Sequence, residues 1–218
     1  MIDNLLKYPE TCIYGKPIPK TTFYKFLEVS PAMKRHFQDD VVSITWLYKI
    51  SPDTLQVRKT ETVKEIEIFL ADLKIRDCDT NLFTFIDKNI NKHIVFILRY
   101  GEQYRLLINF KEWADAAHTR FNITQTFLSD WLTTAQLTLS VQGNELPAIY
   151  EGFVRQIAGK RLNDSTDTLQ QAVLSFQEQQ AIEKRLAQLQ QLIVKETQPH
   201  RKFELHQQIV ELQRKLNA

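Results

Sequence analysis

Pro52-Asp53 is followed, after a gap, by Asp72-Leu73-Lys74. Two carboxylates brought together can hold Mg²⁺, and a lysine beside them can orient or activate an attacking water. Side chains alternate along a strand, so Asp72 and Lys74 share a face if residues 72–74 are extended. Asp53, Asp72 and Lys74 are therefore the candidate catalytic residues. Asp53 and Asp72 are the candidate metal ligands, and Mg²⁺ is the cofactor this chemistry would need. The same residues also have plainer roles. Ser51-Pro52-Asp53-Thr54 is good turn chemistry, and Asp72 and Lys74 can mark the point where a buried strand comes out into water. At the level of sequence both readings stand.

The other chemistry-bearing residues form no pattern. The chain has five glycines, and Gly15-Lys16 lacks the rest of a phosphate loop. There is no Gly-x-Ser-x-Gly elbow and no His-Glu-x-x-His. His36, His93, His118, His200 and His206 are scattered, and each reads as a surface or structural residue rather than a metal ligand or base. Cys12 and Cys78 are too few for a disulfide framework and fit a reducing compartment.

The elements that must position these residues follow from periodicity. Lys20 to Val29 and Pro31 to Gln38 read as short helices, the second capped by Ser30 with Pro31 at its first position. Val41 to Lys49 reads as a strand with Val42, Ile44, Trp46 and Tyr48 on one face. A short strand around Leu55 to Arg58 and a stronger one over Val63 to Lys74 follow. In the latter, Ile66, Ile68 and Leu70 line one face, while Glu65 and Glu67 turn toward water or a partner. Thr80 to Ile90 is a helix. His93 to Tyr100 and Tyr104 to Phe110 form a hairpin turned by Gly101-Glu102. Phe121 to Leu128 is a further strand, and Pro147 to Ala158 a helix ended by Gly159. Trp46 belongs in the core, and Trp113 and Trp131 at element ends close its edge or anchor an interface. The fold class expected is α+β or α/β: a mixed β-sheet domain with flanking helices over residues 1–162, then an antiparallel helical hairpin over 163–218.

The hairpin rests on spacing. Leu186, Leu189 and Ile193 follow Ile182 at steps of 4, 3 and 4, and Leu205, Ile209, Leu212 and Leu216 run at steps of 4, 3 and 4. Each set is an apolar seam on one helix. Pro199 forces a break, and Thr197 is a fair N-cap. These seams must bury against each other or against something else, which makes them candidate partner-binding residues.

A net charge of +2 gives no indication of nucleic-acid binding. A basic run of Lys16, Lys20, Lys25, Lys34 and Arg35, with Glu28 as its one acid, is a solvated face or a small docking patch for phosphate or an acidic partner. The N-terminus lacks a signal-peptide core, and no apolar run approaches the ~20 residues that cross a bilayer. A cytoplasmic protein without membrane association is expected.

Two resemblances bear on function. Pro-Asp followed by Asp-x-Lys resembles the signature of the restriction-endonuclease-like superfamily, as does the order helix, strand, strand, strand, helix, strand. More extensive is a likeness that begins with Lys16-Pro17-Ile18-Pro19-Lys20, Phe23-Tyr24, Ile44-Thr45-Trp46 and Tyr48 to Thr54. It continues through Glu65 to Phe69, Leu73-Lys74, Ile86 to Ile90, Ile94 to Leu98, Lys195-Glu196 and Arg201 to Leu205. In that order these pieces resemble the bacterial and archaeal family called domain of unknown function 4391, which carries Glu where this chain has Asp72. The resemblance implies no activity. It implies genes that lie near helicases and DNA methyltransferases in restriction-like or phage-defence clusters. Three expectations follow. The first is a non-catalytic accessory or adaptor protein that docks to a helicase or similar partner through its C-terminal helices. The second is a Mg²⁺-dependent DNA nuclease using Asp53, Asp72 and Lys74. The third is a self-associating protein, a homodimer joined through the hairpin.

Overall fold

The computed structural model describes residues 4–58, 60–115, 120–162 and 168–216. His118 and residue 163, the expected start of the helical segment, lie outside the described residues. The chain divides into two compact units, Met1–Gly159 and Lys160–Ala218.

The first unit is built on a mixed sheet. Strands β1 (Ile13–Pro17), β2 (Val41–Ile50), β3 (Ile66–Leu73), β4 (His93–Tyr100), β5 (Gln103–Trp113) and β6 (Phe121–Leu128) lie side by side in sequence order. A two-residue β7 (Leu132–Thr133) pairs with the start of β5. Neighbours are antiparallel except β3 and β4, which are parallel. Parallel neighbours need a crossover connection, and α3 (Asn81–Asn89) supplies it.

Helices cover both faces. Phe69, Ala71, Phe96 and Leu98 on one face pack with Phe23 of α1 (Lys20–Phe26), Phe37 of α2 (Pro31–Asp39) and Phe83 of α3. On the other face lies α4 (Leu146–Ala158), which packs on β5 and β6. There the His93 ring, one residue before the clustered Ile94, meets Tyr150 at a centroid distance of 4.5 Å. Because β3 and β4 are buried on both sides, their sequences are nearly continuous apolar runs rather than alternating ones. Ser30 caps α2 by accepting the Met33 amide, with Pro31 at the first helical position, as the sequence implies.

Two sequence expectations need correction. The face assigned to Val42, Ile44, Trp46 and Tyr48 holds only in part, because Val42 is 56% exposed while Leu47 is 1% exposed. The β2–β3 ladder is irregular between Val41 and Ser43 and again between Trp46 and Tyr48. Each bulge slips the pairing by a residue and turns the following side chains over. The strand expected around Leu55 to Arg58 reduces to one isolated bridge between Arg58 and Glu145.

The second unit is a helical pair, α5 (Leu169–Lys195) and α6 (Pro199–Leu216). Thr168 and Gln171 form a capping box at the start of α5. At the turn, the Glu196 carboxylate accepts both the Thr197 and the Gln198 amides. It thus fixes the turn just ahead of the Pro199 that begins α6.

Candidate functional site

The three residues singled out by the sequence do not converge. In the β2–β3 ladder Ile50 pairs with Ile66, next to the turn that holds Asp53, whereas Asp72 pairs with Ser43 at the far end. Six strand steps separate the two ends, roughly 20 Å at about 3.3 Å per residue. Asp53 and Asp72 therefore do not form a two-carboxylate metal site. The physical reason is antiparallel pairing, which places a residue of the turn and a residue near the end of the second strand at opposite ends of the sheet.

Asp72 and Lys74 do stay together, but their polar atoms are already engaged. Asp72 accepts the Ser43 hydroxyl at 2.8 Å with one oxygen and the Arg99 guanidinium with the other. Lys74 donates its ammonium to the Gln38 carbonyl at 2.6 Å. The position paired across from Asp72 thus carries a hydroxyl, where a metal site would need a second carboxylate. Among the described residues, no group of three or more His, Cys, Asp and Glu side chains is placed to hold a metal ion.

Asp53 belongs instead to a polar mouth at the N-terminal ends of β3 and β4. It lines a cleft of about 490 Å³ together with Lys64, Glu65 and Lys92. The Glu65 carboxylate is gripped from two sides, by Lys49 at 2.9 Å and by Lys92. Burial pushes the Glu65 carboxyl up, but the hydrogen bonds from the two ammonium groups outweigh it and hold the group below the usual glutamate range. Glu67 shares this face of β3 and is only 5% exposed. Burial, reinforced by the charge of Glu65, pushes its carboxyl up to about 7 against the pull of Lys92, Lys49 and Lys111. The expectation that Glu67 faces water or a partner fails, because helices cover this face of the sheet as they do the other. A larger cleft of about 950 Å³ runs between the N-terminal segment and residues 134–141, and of the charged residues among those described, Lys7 and Glu102 line it.

Behind the mouth lies a second polar group that sequence reasoning missed. Lys111 of β5 and Asp87 of α3 form an ion pair with both side chains 0% exposed. The Lys111 ammonium also donates to the carbonyls of Asp87 and Lys92, each at 2.6 Å. It thereby ties the end of α3 to the start of β4. Asn109 donates to the second Asp87 oxygen at 2.7 Å. Burial pushes Asp87 up and Lys111 down, while their mutual attraction works the other way on each. Burial, together with the Lys111 charge, lowers His93 to about 3, so its ring is neutral. With every ammonium contact made to the protein itself, Lys111 is a structural tie. A lone Lys following Ile108-Asn109-Phe110, in a strand otherwise buried, was the signal in the sequence.

The hairpin residues do come together, with one another. Leu186, Leu189 and Ile209 are buried in one cluster, and Ile182, Ile193, Leu205 and Leu212 pack against it. Leu216 is half-buried near the end of α6. The seam is closed within the hairpin, so these side chains are not a free partner-binding surface. What remains exposed lies beside them: Leu174, Leu192, Val194, Phe203 and Val210. Val194 follows the seam residue Ile193 and Val210 follows Ile209, and in an antiparallel pair both lean to the same side. Phe203, seven residues before Val210, shares that face.

No helix among the described residues is long and apolar enough to cross a membrane. No curated protein and no solved structure matches the chain. A family model described as a domain of unknown function, number 4391, matches residues 6–216, nearly the whole of the sheet unit and the hairpin together. The chain belongs to the domain of unknown function 4391 family.

Proposed function

We propose that the protein is a non-catalytic accessory or adaptor protein that docks to a larger protein partner through the outer face of its C-terminal hairpin. The observation that carries this reading is the distribution of exposed apolar side chains. Of ten large hydrophobic residues exposed among the described residues, five belong to the hairpin, at 50% exposure or more. Three of the five, Val194, Phe203 and Val210, share one face beside the closed seam, while Leu174 and Leu192 lean to the other side. Large apolar side chains grouped at a surface mark interaction sites. The partner class we favour is a helicase or DNA methyltransferase, on the strength of the family resemblance alone. The nuclease reading has less support, because the carboxylates it relied on lie at opposite ends of the sheet.

The test separates the outer face from the seam. Tagged full-length protein and a V194D/F203D variant are used for affinity capture from the native host, followed by mass spectrometry. Val194 is 81% and Phe203 61% exposed, so the two changes leave the thermal midpoint within about 2 °C of the parent. The expected result is recovery of a helicase or methyltransferase by the parent and its loss with the variant. Equal recovery by both overturns the reading. A monomer–dimer shift abolished by V194D/F203D in sedimentation would transfer the same face to a second copy of the chain.

A further inference from the structure

The basic run between Lys16 and Arg35 is interleaved with aromatic rings, and the structure brings the two together on one side of the sheet. Tyr14 of β1 lies tilted against Trp46 of β2 with centroids 4.1 Å apart, and the Lys16 ammonium lies 4.6 Å from the Tyr14 ring centre. Lys34 of α2 sits 5.1 Å from the centre of Tyr24 of α1, and Lys25 sits 5.4 Å from that of Phe26. Trp46 and Tyr24 both pack on the core cluster beneath α1 and α2, so the Lys16–Tyr14 and Lys34–Tyr24 pairs belong to the same face, and Lys25 and Phe26 stand exposed on α1 beside Tyr24. Phe26 is 72% exposed and Tyr14 38%. Lys16, Lys25, Lys34 and Arg35 are exposed, and Glu28 is the single acid among them in sequence. Lys20 is set apart by its role in the fold, since it donates to the Val41 carbonyl.

We propose that this face binds single-stranded nucleic acid, with the lysines and Arg35 on the phosphates and Phe26 and Tyr14 against unstacked bases. The overall charge of +2 conceals the site because acids elsewhere balance it. Two features favour this ligand over an acidic peptide. Cations spread over about twenty residues of chain suit a repeating anion, and exposed rings among them suit a partner with flat apolar faces. A duplex keeps its bases stacked inside and offers the rings nothing. The inference is independent of the hairpin and of its protein partner.

The experiment is fluorescence anisotropy with the full-length protein and a 5′-labelled single-stranded DNA 20-mer, titrated between 50 and 200 mM salt. The expected result is binding whose logarithm falls linearly with the logarithm of salt, at a slope of about −0.7 for each phosphate neutralised, hence near −3 for four contacts. A K16A/K25A/K34A/R35A variant flattens that slope and weakens binding at least tenfold at 100 mM salt. F26A weakens binding about tenfold, the loss of one stacked base, and leaves the slope unchanged. All five side chains are exposed, so circular dichroism of the variants matches the parent. Equal affinity of the parent and the quadruple variant overturns the proposal. So does a labelled polyglutamate peptide that binds the parent more tightly than the DNA and is indifferent to F26A, which would assign the patch to an acidic protein.

Discussion

Lys111→Met lowers the stability of the protein by about 3–5 kcal/mol, the usual cost of breaking a buried ion pair by removing one partner. Both charged groups are 0% exposed, so the Asp87 carboxylate left behind has no water to turn to. It keeps the Asn109 amide but loses its counter-charge. The carbonyls of Asp87 and Lys92 lose their donor as well, and a buried acceptor without a partner is costly in its own right. A double variant, D87L/K111M, recovers part of the loss because no charge remains to be desolvated. Recovery is incomplete because the two carbonyls remain unsatisfied. Urea denaturation measures both effects, and a Lys111→Met midpoint equivalent to less than 1 kcal/mol of destabilisation contradicts the assignment of Lys111 as a structural tie.

Glu67→Gln acts in the opposite direction and depends on pH. Burial and the neighbouring Glu65 charge push the folded carboxyl up to about 7, from the ordinary glutamate value of 4.5. The folded state therefore holds this proton more tightly than the unfolded chain. Its contribution is favourable below about pH 4.5, declines as the pH rises toward 7, and is a full penalty above that. A shift of this size corresponds to about 3 kcal/mol. Glutamine carries no charge at any pH. The stability difference between variant and parent should thus swing by about 3 kcal/mol in favour of the variant between pH 4.5 and pH 8. Denaturation at the two pH values reads it directly, and a difference independent of pH would show that Glu67 is ionised in the fold without penalty. A residue that destabilises the protein at neutral pH, set behind a cleft with two lysines, also marks the mouth as the part of the sheet unit least explained by stability alone.

Much of the architecture was legible, and the reasons are specific. Ile94 to Leu98 read correctly as a strand because burial on both faces makes the apolar run continuous, and Ile66 to Leu70 because Ile66, Ile68 and Leu70 alternate with other residues along one face. The hairpin read correctly because Pro199 stops one helical seam and a second seam with the same steps begins after it. β1 was missed because Ile13-Tyr14-Gly15-Lys16-Pro17 carries Gly and Pro, which weaken a strand signal and are tolerated on an edge. Val42 was placed on the wrong face because a bulge leaves no mark in residue types. The candidate site was less legible. A motif of the form Pro-Asp followed by Asp-x-Lys specifies residues and order, and it says nothing about which end of a hairpin each residue occupies. Pairing register decides that, and it placed Asp53 with Glu65 and Lys92 rather than with Asp72. Likewise the seam spacing showed that Leu186, Leu189 and Ile209 must be buried, without showing that they bury one another.

The hairpin is the central claim, and its removal is the most direct test. The measurement is affinity capture with the tagged protein lacking residues 165–218, alongside the full chain, with circular dichroism and a thermal melt of the shortened protein as the check that the sheet unit remains folded. The account predicts a folded shortened protein that no longer recovers the helicase or methyltransferase held by the full chain. A folded sheet unit that recovers the same partner in full would place the docking surface on the sheet and contradict the account.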